Sequence, residues 1–153
     1  MNQHSKRFFL KNIVVLLFTL GPSIKSFAAK WNKEAFNADN LSRSFGLLGI
    51  VNVRQTDQIE LKVPQIAENG TIVPIEIFSS IPKTQNIYIF VEKNPSPLTA
   101  SFFFSTKTLP FLSTRIKMRE SSKLTVVVKT KEHKFFSTQR EVKVTIGGCG
   151  EEE

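Results

Sequence analysis

The chain has 153 residues, a formal net charge of +8, one cysteine and two histidines. This length suits one domain with a hydrophobic core. A single cysteine excludes an intramolecular disulfide, and so few histidines and cysteines exclude a His/Cys metal site. The sequence has no stripe of alternating basic and aromatic residues, so we expect no nucleic-acid partner.

Residues 1–28 have the pattern of an export signal. The basic residues Lys6, Arg7 and Lys11 precede an apolar stretch at 13–20, which is far shorter than the roughly 20 residues needed to span a bilayer. Small residues at Ser26 and Ala28 predict cleavage after Ala28. The basic region resembles a twin-arginine signal in which Lys6 replaces the first arginine, which leaves both the twin-arginine and the general secretory route open. An uncleaved membrane anchor is the alternative.

Removal of this signal changes the charge of the chain. The segment carries four cationic side chains and no acidic one, so the formal charge falls from +8 to +4 for residues 29–153. A charge this mild indicates at most an anionic partner or a small anion. We expect the processed chain to have no membrane contact.

Residues 29–50 are predicted to be helical. Ala38, Leu41, Phe45 and Leu48 follow one another at spacings of three, four and three, which places them on one face of a helix running from about Asn32. Gly49 is a plausible end.

Residues 51–146 are predicted to form a β-sandwich of seven or eight strands, because apolar residues alternate with polar ones between turn signals. Asn69-Gly70 is a tight-turn signal, and Pro74 predicts an edge position or a bulge. The candidate strands are 59–63, 73–77, 87–91, 98–104, 112–118, 124–128 and 142–146, with a short piece at Phe135-Phe136.

The last strand is predicted to anchor a C-terminal arm, residues 147–153. Val142, Val144 and Ile146 should point inward and hold the arm by apolar burial, whereas Glu141, Lys143 and Thr145 should point outward. Cys149 lies three residues past Ile146, so its backbone reaches about 10 Å from the sandwich.

Cys149 is the candidate functional residue. Gly147, Gly148 and Gly150 make its surroundings flexible, since glycine has no Cβ. The thiolate is the reactive form of cysteine, and the negative charge of Glu151–Glu153 disfavours it. The thiol therefore fits an attachment point that another enzyme activates. We assign no catalytic residue and no metal ligand to this chain.

Two further features of the sequence bear on function. His133, within Lys131-Glu132-His133-Lys134, is expected at the exposed tip of a hairpin. The aromatic run 102–104 and the pair Phe135-Phe136 are candidates for a partner interface, although burial of both strand faces inside the sandwich would also explain them.

Four segments resemble the SoxY family, the sulfur-carrier subunits of bacterial thiosulfate oxidation. These segments are Gln65–Gly70 followed by Val73-Pro74, Val91–Leu98, Ser113–Met118 and Val144–Gly150. The resemblance covers nearly the whole processed chain and includes the export signal. One departure is that Glu151 stands where the family has a final glycine, with Glu152 and Glu153 after it.

The resemblance implies an immunoglobulin-like, antiparallel β-sandwich in the periplasm. It implies a heterodimer with SoxZ and sulfur intermediates carried on Cys149. The implied partners that dock transiently are a haem enzyme, a manganese-dependent sulfohydrolase and a sulfane dehydrogenase. The haem and the manganese belong to those partners, and no cofactor is expected in this chain.

Two other functions stay open on the residues alone. In one, the chain is a non-catalytic periplasmic binding or assembly module tethered through a disulfide at Cys149. In the other, it is a self-contained thiol enzyme, which would need a base near Cys149.

Overall fold

The computed structural model describes residues 32–146, which begin with two short helices. Helix α1 spans Lys33–Phe36 and α2 spans Leu41–Leu48. The Asn32 side chain accepts a hydrogen bond from the Ala35 amide, and the Asn40 side chain accepts one from the Arg43 amide. Asparagine favours such caps over a helix interior. The helical pattern is therefore divided between two helices, where the sequence predicted one continuous helix.

Gly49 ends α2 as predicted. Its backbone is left-handed, with φ of 65°, and the Ile50 amide donates to the Phe45 carbonyl at 2.9 Å. This is the hydrogen-bond pattern of a glycine-terminated helix.

Nine strands follow the helices within the described residues. In chain order they are β1 (Arg54–Gln55), β2 (Ile59–Lys62), β3 (Ile66–Asn69), β4 (Val73–Ser79), β5 (Thr84–Val91), β6 (Leu98–Phe103), β7 (Phe111–Ile116), β8 (Ser122–Thr130) and β9 (Phe135–Ile146).

The strands form two sheets. The larger has the order β1-β9-β8-β5-β6, and β3 also pairs with β9; the smaller has the order β2-β4-β7. Neighbours are antiparallel except β1 and β3, which both run parallel to β9. β1 pairs with the beginning of β9 and β3 pairs with its end. The structure is thus an open, immunoglobulin-like β-sandwich, as predicted. It also contains two short strands, β1 and β3, that pair in parallel with β9.

The middle of the larger sheet, β5 and β8, is buried on both faces. One face packs against the smaller sheet, with Ile87, Ile89 and Val126 fully buried between the two. The other face packs beneath the helices, where the rings of Phe45 and Phe90 meet edge to face at 4.9 Å between centroids. Alternate residues of β5 therefore enter different hydrophobic clusters.

The alternation in β2, β4 and β5 predicted their buried faces correctly, but three details differ. Pro74 lies in the central strand of the smaller sheet, so the predicted edge position is wrong. It is tolerated there because β2 ends at Lys62, opposite Glu76, and leaves Pro74 paired only with β7. Phe135-Phe136 and 142–146 belong to one long strand, β9, and the sequence did not predict β1 or β3.

Within residues 32–146, neither helix is long and apolar enough to cross a membrane. The predicted export signal, residues 1–28, lies outside the described residues.

Candidate functional site at the root of the arm

The candidate attachment residue Cys149 and its neighbours Gly147, Gly148 and Gly150 lie outside the described residues. The structure describes the chain up to Ile146, three residues before the thiol. We call Lys143–Ile146 the root of the arm, because its position determines where the arm begins.

The root is held on one side by β3. The register pairs Ile66 with Lys143 and Asn69 with Ile146. The Gly70 amide donates to the Ile146 carbonyl at 2.8 Å, and the Thr145 hydroxyl donates to the Glu68 carbonyl at 2.9 Å. The last described residue of β9 therefore has a backbone partner.

Ser121 holds the root where β8 has not yet begun. Its hydroxyl accepts a hydrogen bond from the Val144 amide at 2.9 Å. The first pair between β8 and β9 is Ser122 with Val142, so Ser121 extends this contact beyond the regular pairing. The root is consequently fixed along both sides.

Apolar burial contributes less to this anchor than the alternation predicted. Val142 is fully buried, Val144 is half-buried, and Ile146 is 65% exposed. The prediction that Ile146 points into the core is wrong, because β9 continues past the core that the opposing sheet covers. Glu141, Lys143 and Thr145 are exposed as predicted.

The predicted surface position of His133 is confirmed. His133 is exposed in the turn between β8 and β9, with a φ of 59°. β9 has twelve residues, and a strand rises about 3.3 Å per residue. The imidazole and the root therefore lie at opposite ends of β9, roughly 35 Å apart along the strand, which is too far for His133 to act as a base for Cys149.

A groove of about 770 Å³ lies along the middle of β9, between residues 55–61 and residues 137–140. Its lining is mainly polar and includes Asp57, Glu60 and Arg140. Within residues 32–146, no group of three or more His, Cys, Asp or Glu side chains could hold a metal ion. Arg140, the lining residue of β9 nearest to the root, is about 20 Å along the strand from Ile146.

The aromatic residues predicted as a partner interface differ in how far they are exposed. Phe135 is buried beneath the helices and Phe104 between the sheets, so neither is available to a partner. Phe102 and Phe136 are half-buried against the core between the sheets. Phe103 is 63% exposed, and Leu109 and Phe111 are exposed near it in sequence. Of the predicted aromatic surface, Phe103 is the residue that fits a partner contact.

Comparison with known proteins identifies the family. A family model described as "Sulfur oxidation protein SoxY" matches residues 46–149. The chain belongs to the SoxY family. The sulfur carrier protein SoxY from Chlorobium limicola f thiosulfatophilum has 39% sequence identity and a TM-score of 0.60, over 67% of this chain and 92% of that one. This family supports a carrier role in sulfur oxidation.

More distant structures share only the fold with this SoxY chain. A putative superoxide reductase from Thermotoga maritima has 14% identity and a TM-score of 0.52, over 60% of this chain and 93% of that one. The superoxide reductase (neelaredoxin) from Ignicoccus hospitalis has 12% identity and a TM-score of 0.50, over 60% and 94%. No curated protein matches the sequence.

Sequence reasoning did not find the polar contacts at the root. Ser121, Gly70 and Thr145 reach partners that are 23 to 77 residues away in the sequence. The only part of this arrangement that the sequence indicated is the turn at Asn69-Gly70. The structure confirms a turn there, since the Asn69 side chain accepts a hydrogen bond from the Thr71 amide at 2.8 Å.

Proposed function

We propose that this chain is a periplasmic carrier that holds sulfur intermediates covalently on Cys149 and presents them to partner enzymes. The observation that carries the proposal is the family match, which runs through residue 149. The geometry supports it, because the root is fixed by β3 and Ser121 three residues before a glycine-flanked thiol. A fixed root suits a group that must be presented to the active sites of other proteins.

The proposed chemistry uses Cys149 as a handle. The thiol and thiosulfate join to form Cys149–S–S–SO3⁻ and release one proton and two electrons, which a partner haem enzyme accepts. Water then cleaves the bond between the outer sulfur and the sulfonate. This step gives sulfate, two protons and the persulfide anion Cys149–S–S⁻, and a manganese-dependent partner catalyses it.

The proposed assembly includes SoxZ as a stable partner and transient docking to the haem enzyme, the sulfohydrolase and a sulfane dehydrogenase. The chain itself brings no haem or metal. Phe103, Leu109 and Phe111 supply exposed apolar area for one of these contacts.

Replacing Cys149 tests the proposal. We expect Cys149→Ser to abolish thiosulfate-dependent turnover in a system reconstituted with the partner enzymes, while folding and dimerisation are kept. A relocated thiol, C149S/K107C, is the matched control, because Lys107 is exposed far from the arm in sequence. This control should also be inactive, since its thiol lacks the glycine arm. Normal turnover in Cys149→Ser would contradict the carrier function.

Mass spectrometry distinguishes the alternative. Protein isolated without reductant from thiosulfate-exposed cells should carry added sulfur or sulfonate mass on the Cys149 peptide, and reductant should remove it. A protein–protein disulfide at Cys149 without any sulfur adduct would instead favour the tethered assembly module.

A further inference from the structure

Gly70 joins the root of the arm to the residues that follow β7. Its amide donates to the Ile146 carbonyl at 2.8 Å, and its carbonyl accepts from the Met118 amide at 2.7 Å. Backbones joined in this way lie about 5 Å apart, so those of Met118 and Ile146 are within about 10 Å of each other. The surface around the root therefore includes side chains that follow β7.

Asn94 fixes the short stretch Lys117–Arg119, which we call the strap. Its side-chain amide donates to the Lys117 carbonyl at 2.8 Å, and its side-chain oxygen accepts from the Arg119 amide at 2.9 Å. Met118 is fully buried between these two contacts. The backbone of the strap is thus held by hydrogen bonds at both ends and by its central side chain.

The strap and the end of β7 present three cations. Arg115, Lys117 and Arg119 are exposed and alternate with the buried Ile116 and Met118, so their side chains point away from the core on the same side. We call these three residues the basic strip.

The basic strip has no acidic partner within the described part of the chain. None of its three side chains forms an ion pair within 4.0 Å with residues 32–146. Glu120, the next acid in the sequence, faces Lys93 at 4.0 Å. A row of three cations on a fixed backbone is therefore available to an anionic surface of another protein.

Two exposed isoleucines lie beside the root. Ile146 is 65% exposed at the end of β9, and Ile72 is 58% exposed in the turn that follows β3. Both lie around Asn69, which pairs with Ile146 and accepts from the Ile72 amide at 3.4 Å. Apolar side chains that are exposed together and rimmed by charges are typical of protein interfaces. We call Ile72, Ile146 and the basic strip the root surface.

The composition of the root surface indicates a transient partner. Permanent interfaces are large and mainly apolar, whereas cations outnumber isoleucines in the root surface. Opposite charges at the rim of an interface accelerate association by tenfold or more at low salt and select the partner. An acidic surface is therefore the complement of the root surface.

We propose that the root surface docks the enzymes that act on the thiol, through an acidic surface around their active-site entrances. The inference rests on the proposed function, because only a carrier must be reached by other enzymes at Cys149. An enzyme that reaches a thiol three residues beyond Ile146 approaches to within about 10 Å of the root. The side chains around the root then lie within its area of contact.

Oxidation of the carrier heterodimer by the haem enzyme, at saturating thiosulfate, tests the proposal. We expect R115Q/K117Q/R119Q to lower kcat/KM for the carrier about tenfold at low salt. The variant slows the encounter and not the chemistry, so kcat should be unchanged. The difference should disappear in about 0.5 M salt, which screens exposed charges. As the matched control, R54Q/K107Q/K131Q removes the same charge from exposed positions elsewhere and should behave as wild type.

A second pair of variants tests the apolar part of the root surface. Ile72→Ser should lower kcat/KM severalfold at low and at high salt, because salt does not screen an apolar contact. Ile66→Ser is the matched control. Ile66 is also 58% exposed, but it pairs with Lys143 and alternates with the buried Ala67, so it faces away from the core. This control should retain the kcat/KM of wild type.

An NMR titration of Cys149→Ser separates docking from chemistry. This variant has no thiol to load, so any effect of added haem enzyme on its amides reports docking alone. We expect selective broadening at Ile72 and at the amides of the strap, and little at Lys131, in the turn before β9. The broadening should be lost in R115Q/K117Q/R119Q on the same background.

Three results would overturn the proposal. Unchanged kcat/KM in R115Q/K117Q/R119Q would show that the basic strip does not guide docking. An equal loss in R54Q/K107Q/K131Q would show that net charge, and not the root surface, attracts the enzyme. Failure of R115Q/K117Q/R119Q to form the heterodimer in size-exclusion chromatography would assign the root surface to SoxZ.

Failure of the proposed function gives a different result. Wild type would then show no oxidation that depends on Cys149, at any salt concentration. The titration of Cys149→Ser would still decide the inference, because selective broadening around the root requires docking and no chemistry.

Discussion

Tyr88 reports on the packing between the helices and the larger sheet. It lies on β5 and is 6% exposed, in the cluster that also contains Phe90 and Ala35. Burial raises the pKa of its phenol above the ordinary value of 10.0, because the charged phenolate is poorly solvated there. The chain has one tyrosine, so its titration can be observed without interference.

We expect the phenol to titrate above pH 10 in the folded protein. Below pH 10 the phenol is neutral in both states and its contribution to stability is complete. As the pH rises through the raised folded pKa, that contribution is lost, because the unfolded state releases its proton first. The absorbance of tyrosinate between about pH 9 and pH 11 measures the pKa of the phenol. Urea unfolding over the same range measures the loss of stability. Tyr88→Phe should remove the tyrosinate signal and reduce the alkaline loss of stability; an unchanged alkaline loss would assign it to other groups.

Single side chains were predictable where their position depended on near neighbours in the sequence. The turn at Asn69-Gly70 and the exposed His133 follow from local composition. The exposure of Ile146 does not, since alternation defines a strand face but not where the opposing sheet ends. Asn94 and Ser121 could not be found either, because their partners lie 23 to 25 residues away.

Helix α2 provides a matched pair of glycines with opposite roles. Gly46 lies within the helix and Gly49 ends it in a left-handed conformation with φ of 65°. A Cβ built at either position meets no atom within 4 Å. Backbone conformation, and not space, therefore decides the effect of a substitution.

We expect Gly49→Ala to destabilise the protein by about 1 kcal/mol, since a left-handed backbone is unfavourable for alanine. Gly46→Ala should stabilise it by up to about 1 kcal/mol, because alanine is the better residue inside a helix. Urea unfolding followed by circular dichroism measures both. The same sign for the two substitutions would contradict this account of the helix end.

Long strands with strict alternation were predictable, and short parallel ones were not. β4 and β5 each alternate over several residues and were found from their sequence. β1 has two residues and β3 has four, too few for a periodic signal, and both depend on pairing with β9. Asn37 and Asn40 could have indicated the break between the helices, because asparagine is a common cap.

The domain has two hydrophobic clusters that share one sheet. Ile89 and Phe90 are neighbours on β5 and both are fully buried, Ile89 between the sheets and Phe90 beneath the helices. Because a single strand supplies both clusters, disruption of one should weaken the support of the other.

We expect Ile89→Ala to cost about 2–5 kcal/mol and Phe90→Ala about 3–5 kcal/mol in unfolding free energy. Both variants should still unfold in one cooperative transition, as small domains usually do. Helical circular dichroism and the NMR signals of the smaller sheet should therefore give the same midpoint. A lower midpoint for the helical signal in Phe90→Ala would show that the helices unfold separately from the sandwich.

The pairing of β3 with β9 also has a consequence for the order of folding. It joins residues 77 positions apart, as in the contact between Thr145 and Glu68. Contacts of such long sequence separation close large loops and tend to form late. We therefore expect β3 to be added to β9 late in folding. The root of the arm is therefore fixed only in a nearly complete domain. Incompletely folded chains would present the thiol on a strand end that is not yet held by β3.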